Sequence, residues 1–161
     1  MFDKFGEMDS CQEINELAEN LFNENDIKSL KELARENGIG EEFVDAYIEG
    51  DYPQLCDPLT AALGKLEIEE KDLKPTGLMR DWIAYLKAQC LNDDAMAFAV
   101  RKKGKTLKGC MAELVKYSFS NRVKLDTGIA KAAGITNARV EFGIPGMKEA
   151  KQIILKYYQG G

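Results

Sequence analysis

The chain contains no histidine. That absence excludes Ser–His and Cys–His nucleophile pairs and every His-ligated metal site. Cysteine is sparse and scattered: Cys11, Cys56, Cys90 and Cys110 form no CxxC pair. A zinc knuckle or thioredoxin-type motif therefore has no footing, and reduced, buried thiols are expected. No stretch approaches the ~18–20 apolar residues of a membrane span. The opening MFDKFGEMDS has no basic start followed by an apolar run, so a secretory signal is not expected. Strand patterns are nearly missing, and no internal repeat appears. The expectation is a cytoplasmic protein with no membrane attachment.

What is present reads as helix almost throughout. Ser10 and Glu13 form a capping box, opening a helix with Ile14, Leu17, Ala18, Leu21 and Phe22 on one stripe. Asp26 caps a second helix that stops near Asn37-Gly38, and Glu41 to Ile48 predicts a third, ended by Gly50. Asp57-Pro58 opens a fourth, with Asp at the N-cap and Pro at the first helical position. The polar run Glu67 to Asp72 reads as loop or frayed helix. A long helix follows Pro75, carrying Leu78, Met79, Trp82, Ile83, Leu86 and Cys90 on one face. Asn92 can cap a short helix to about Lys102, and Thr106 caps the clearest amphipathic helix. That helix has Leu107, Cys110, Met111, Leu114, Val115 and Phe119 as its stripe. Asp126 caps another short helix, residues 137–142 allow a brief extended piece, and Pro145 opens the last helix. Its apolar face runs Met147, Ala150, Ile153, Ile154, Tyr157 and Tyr158.

The expected architecture is all-α: a compact multi-helix bundle, one helical domain over 1–161. Two sub-lobes are possible within it, an acidic helical unit over 1–52 and a helical body over 53–161. Charge is segregated along the chain. Residues 1–94 hold 23 Asp+Glu against 9 Lys+Arg, whereas residues 95–161 hold 4 against 13. An acidic N-terminal lobe can occupy the basic surface of another protein, and a basic C-terminal lobe can grip phosphate. Such segregation points to binding and not to an enzyme.

Two clusters follow from this. Arg101, Lys102, Lys103, Lys105 and Lys108 place five cations on a helix-to-helix turn that Gly104 lets close. The following helix is expected to present free N–H groups to a phosphate or nucleic acid, and Lys116, Arg122, Lys124 and Lys131 can extend the patch. Gly104-Lys105-Thr106 echoes the tail of a P-loop, but Ala99 stands where the first glycine belongs and the preceding segment is helical. Nucleotide hydrolysis is therefore rejected. The opposite pole includes Glu32, Glu36, Glu41, Glu42 and Asp45, spaced carboxylates suited to a basic partner. Neither paired catalytic carboxylates nor a cofactor motif is present, and scattered carboxylates specify no magnesium site.

The stretch from Ala97 to Leu114, AFAVRKKGKTLKGCMAEL, resembles the core of the PcfK-like family of mobile-element proteins, as do Asp126, Ile129 and Ala130 downstream. The resemblance covers about residues 92–134. Some members of that family are anti-CRISPR proteins that inhibit type II effector nucleases. The resemblance therefore implies an inhibitor that binds a type II RNA-guided effector nuclease and blocks its nucleic-acid or conformational surface, while the acidic pole by itself suits that or another basic nucleic-acid-binding protein. The alternative it implies is an accessory protein of a conjugative or other mobile element, and the basic turn would make that accessory DNA-binding.

Overall fold

Side-chain oxygens start most of the helices, and they set the architecture. In the computed structural model, which describes residues 3–160, Ser10 accepts from the Glu13 amide at 3.2 Å and opens α1 (Cys11–Asn23). The Glu13 carboxylate returns to the Asp9 amide at 2.5 Å. Asp26 opens α2 (Ile27–Glu36), and Asp57 opens α4 (Pro58–Leu73) by accepting from Thr60. Between them α3 (Glu41–Glu49) ends at Gly50, whose φ of 82° is the left-handed geometry that glycine adopts at no steric cost. The chain continues through α5 (Leu78–Asn92), α6 (Asp94–Arg101) and α7 (Leu107–Ser120). Asp93, one residue later than expected, caps α6. Beyond α7 come β1 (Val123–Lys124), α8 (Thr127–Ala132), β2 (Glu141–Phe142) and α9 (Met147–Gln159). The two short strands pair antiparallel, with Val123 opposite Phe142 and Lys124 opposite Glu141. The described residues are thus mostly helical, with one two-residue ribbon. Met1, Phe2 and Gly161, the ends of the expected 1–161 domain, lie outside them.

Apolar burial forms two clusters that meet on α4. The first gathers Ile14, Ala18, Leu30, Leu33, Val44, Leu55 and Ala61. It therefore reaches past residue 52. The second gathers Leu66, Trp82, Leu86, Val100, Leu114 and Ile154 with their neighbours. Ala61 faces the first cluster and Ala62 the second. Gly64 lets the end of α2 cross α4 with the two backbones touching: a Cβ there would collide with the Asn37 carbonyl. Trp82 is buried in the second cluster, and all four cysteines are buried and free.

Three expectations are corrected. The run Glu67 to Asp72 is helix, the last third of α4. It is held because Glu69 turns inward to accept from the Leu107 amide at 2.7 Å, while Glu70 pairs with Lys87 at 2.6 Å. On α7 the apolar stripe outruns the core: Leu107, Cys110, Met111 and Leu114 are buried, whereas Val115 and Phe119 are exposed. Met147, at the start of α9, is likewise exposed. No helix among the described residues is long and apolar enough to cross a membrane.

Candidate functional site

The basic turn joins α6 to α7, and its residues separate into two kinds. Lys102, Lys103 and Lys108 are exposed. Arg101 is buried at 1% exposure, with its Nη2 donating to Asn37 Oδ1 at 2.6 Å. Burial pulls its guanidinium pKa below the usual value, against the pull of nearby carboxylates including Glu7 and Glu69. Arg101 is therefore removed from the phosphate-facing set, because a cation in that position meets protein and not solvent. Lys105 is half-buried, donates to the Tyr157 carbonyl at 2.7 Å, and lies 5.3 Å from the Tyr157 ring centroid.

Most of the N–H groups expected to greet a phosphate already have acceptors. Lys103 N donates to Asp9 Oδ1 at 2.9 Å and Gly104 N to Glu7 Oε2 at 3.4 Å. Thr106 N donates to the Tyr157 hydroxyl, Leu107 N to Glu69, and Gly109 N to the Thr106 hydroxyl. Lys65, fully buried, ties the arrangement together: its Nζ is 2.9 Å from Glu7 Oε1 and 2.8 Å from the Lys102 carbonyl. The expectation of free donors at the start of α7 is therefore corrected for Leu107 and Gly109. Anion-binding backbone of this kind attracts carboxylates as readily as phosphates, and this chain supplies its own.

Sequence reading missed Glu7, Asp9, Lys65 and Glu69. A lysine between Leu63 and Leu66 on an otherwise apolar stretch was the available signal. The other partners come from segments 37 or more residues away in sequence.

The predicted acidic residues also divide. Glu36 is buried and accepts from the backbone amides of Lys4 and Phe5, at 2.8 and 3.2 Å. It is a fastening for the N-terminal segment, and its place in an exposed acidic surface is corrected. Glu32 is half-buried and held by Arg35 at 2.5 Å, a pairing that lowers its pKa. Glu41, Glu42 and Asp45 occupy α3, with Asp45 at 4.0 Å from Lys31 and all three exposed. Glu41 and Glu42 stand in its first turn, where the helix dipole favours negative charge.

Two clefts lie beside these charges. One, of about 610 Å³, is bordered by Glu16 and Glu19 of α1 with Phe22 and Tyr47, whose ring centroids are 5.5 Å apart. Burial and the Glu19 charge raise the Tyr47 pKa, keeping its hydroxyl neutral. The other, of about 480 Å³, lies between α7 and α9, where Lys105, Lys116 and Lys156 surround Tyr117 and Tyr157. The thiols offer no reactive nucleophile: burial pushes Cys56 and Cys110 up to about 12 and Cys90 up to about 11. Among the described residues, no group of three or more Cys, Asp or Glu is placed to hold a metal ion. No family model, no curated protein and no solved structure matches the chain.

Proposed function

We propose that the chain is a non-catalytic inhibitor that binds a type II RNA-guided effector nuclease and blocks its nucleic-acid or conformational surface. The observation that carries this reading is the α1–α3 cleft, where Glu16 and Glu19 flank the Phe22–Tyr47 ring pair. Carboxylates beside aromatic faces suit an arginine or lysine side chain, through charge and cation–π attraction together. Glu41, Glu42 and Asp45 stand exposed on the neighbouring α3, adding negative potential. RNA-guided nucleases carry a positively charged channel and read their duplex element with arginines. The resemblance of residues 92–134 to the PcfK-like family supports the same reading. The basic turn supports it less directly, since most of its donors are engaged within the chain.

The test is a DNA-cleavage assay with guide-loaded type II nucleases, titrating the wild type against a Glu16→Lys, Glu19→Lys, Glu42→Lys variant. At least a tenfold loss of inhibitory potency is expected. Undiminished inhibition by the variant, or no inhibition of any nuclease by the wild type, retires the proposal.

A second reading, a DNA-binding accessory of a conjugative or other mobile element, draws on the exposed Lys102, Lys103 and Lys108. Lys102→Glu with Lys108→Glu should then weaken duplex binding and flatten its salt dependence, by roughly one unit of slope for each phosphate no longer neutralised. Unchanged affinity removes that reading.

A further inference from the structure

We infer that the end of α7 and the β1–β2 ribbon form a stacking platform for single-stranded nucleic acid. Its rings lie on other residues than the basic turn and the acidic surface of α1 and α3, and it goes beyond the proposed inhibition. Phe119 is 69% exposed, Val123 68% and Phe142 65%. These are not scattered singletons. Val123 lies directly opposite Phe142 in the ribbon. Gly143 then packs so closely on the Ser118 carbonyl that a Cβ would collide with it. That close approach brings the end of β2 bearing Phe142 to the last turn of α7, which bears Phe119. Arg122 joins them: its guanidinium lies 4.3 Å from the Phe119 ring centroid, its Nε donates to the Phe119 carbonyl, and its Nη1 is 3.8 Å from Glu141.

Charge identifies the occupant. Between residues 115 and 148 the cations Lys116, Arg122, Lys124, Lys131, Arg139 and Lys148 are all exposed. Two carboxylates, Asp126 and Glu141, lie in the same span, and a third, Glu113, pairs with Lys116 at 2.6 Å. Asp126 is committed to capping α8, and Glu141 pairs with Arg139 at 2.6 Å. Lysine is depleted at protein-docking patches, yet here the exposed Lys116, Lys124, Lys131 and Lys148 surround the apolar side chains in sequence, and the Arg122 guanidinium lies on the Phe119 ring itself. Cations that track a phosphate backbone, interleaved with rings that take bases, are what single strands require. A duplex already stacks its bases on one another and offers these rings nothing comparable. The α7–α9 cleft, lined by Lys105, Lys116 and Lys156 together with Glu113, opens along the same helix, with Lys116 about one turn before Phe119. It gives the backbone a path off the platform.

The experiment is fluorescence anisotropy with a labelled thymine 20-mer and with the same strand in duplex, at ~50 and ~200 mM salt. Single-strand binding that is at least tenfold tighter than duplex binding is expected. Phe119→Ala with Phe142→Ala should weaken it by tenfold or more and leave the salt slope unchanged. Lys124→Glu with Arg139→Glu should instead reduce the slope, by roughly 0.7 for each phosphate released. The second pair keeps the test decisive should the first fail to fold, as judged by circular dichroism. Absence of single-strand binding at ~50 mM salt overturns the inference. So does duplex binding as tight as single-strand binding, or an undiminished affinity in both double variants. Self-association of the wild type, abolished in Phe119→Ala/Phe142→Ala and unaccompanied by oligonucleotide binding, also overturns it, since the patch would then join two copies. The outcome is independent of the cleavage assay, which probes α1 and α3.

Discussion

Arg101 and Asn37 meet inside the protein at 2.6 Å, Nη2 to Oδ1, across 64 residues of chain. Asn37 is the C-cap of α2, and its own Nδ2 donates to the Leu33 carbonyl. One side chain therefore closes α2 and receives the end of α6. Removing one partner of a buried charged hydrogen bond leaves the other desolvated, at a cost of about 1–3 kcal/mol. Asn37→Ala should lose at least that much in urea unfolding. Arg101→Met, which removes the charge along with its hydrogen-bond demand, should lose less. A larger loss for Arg101→Met than for Asn37→Ala contradicts this account.

Gly64 supports a second prediction. Alanine is favoured over glycine in a helix interior by about 1 kcal/mol, so a propensity argument expects Gly64→Ala to stabilise. The Asn37 carbonyl, into which the new methyl would project, opposes it. Backbone cannot rotate aside as a side chain can, and overpacking of this kind costs about 1–3 kcal/mol. Thermal unfolding of Gly64→Ala should show a lower Tm. A raised Tm would mean that α2 and α4 separate freely there.

Legibility followed the range of the forces involved. Caps are local chemistry, and Ser10, Asp26, Asp57, Thr106 and Asp126 each accept an amide within their own helix start. They could be read from neighbouring letters. Glu69 could not, because a buried glutamate has the same letter as a solvated one and its donor lies 38 residues away. The basic turn failed for the same reason: its spacing suits an anion, but nothing near it announces that Glu7 and Asp9 fill that role. Val115 and Phe119 continue a helical stripe faithfully, and only the packed structure shows that the core stops before them.

The buried cysteines give a prediction that needs no mutation. A thiol displaced upward by burial holds almost no thiolate at about pH 8, and thiolate is the reactive species. Cys56, Cys90 and Cys110 should therefore be silent toward a disulfide reagent in the native protein and react once urea unfolds it. Rapid native modification of any of these three would place that thiol at the surface.

Glu69 links the core to pH. Burial raises its carboxyl above the ordinary 4.5, outweighing the Leu107 N–H and the Lys65 charge, which both pull it down. A carboxyl raised on folding binds more protons in the folded state than in the unfolded one between the two pKa values. Its effect on stability is thus most favourable below about 4.5 and declines as pH rises through that interval. Glu69→Gln removes the ionisation and keeps an oxygen for the Leu107 amide. Relative to the wild type, this variant should gain in urea-unfolding free energy as pH is raised from about 4.5 to about 7.5. Glu69→Ala abandons the Leu107 N–H and should be less stable than Glu69→Gln at both ends, by about 1–3 kcal/mol. Parallel pH profiles for the wild type and Glu69→Gln would show that Glu69 ionises in the fold as it does in water, and that water reaches the junction of α4 and α7.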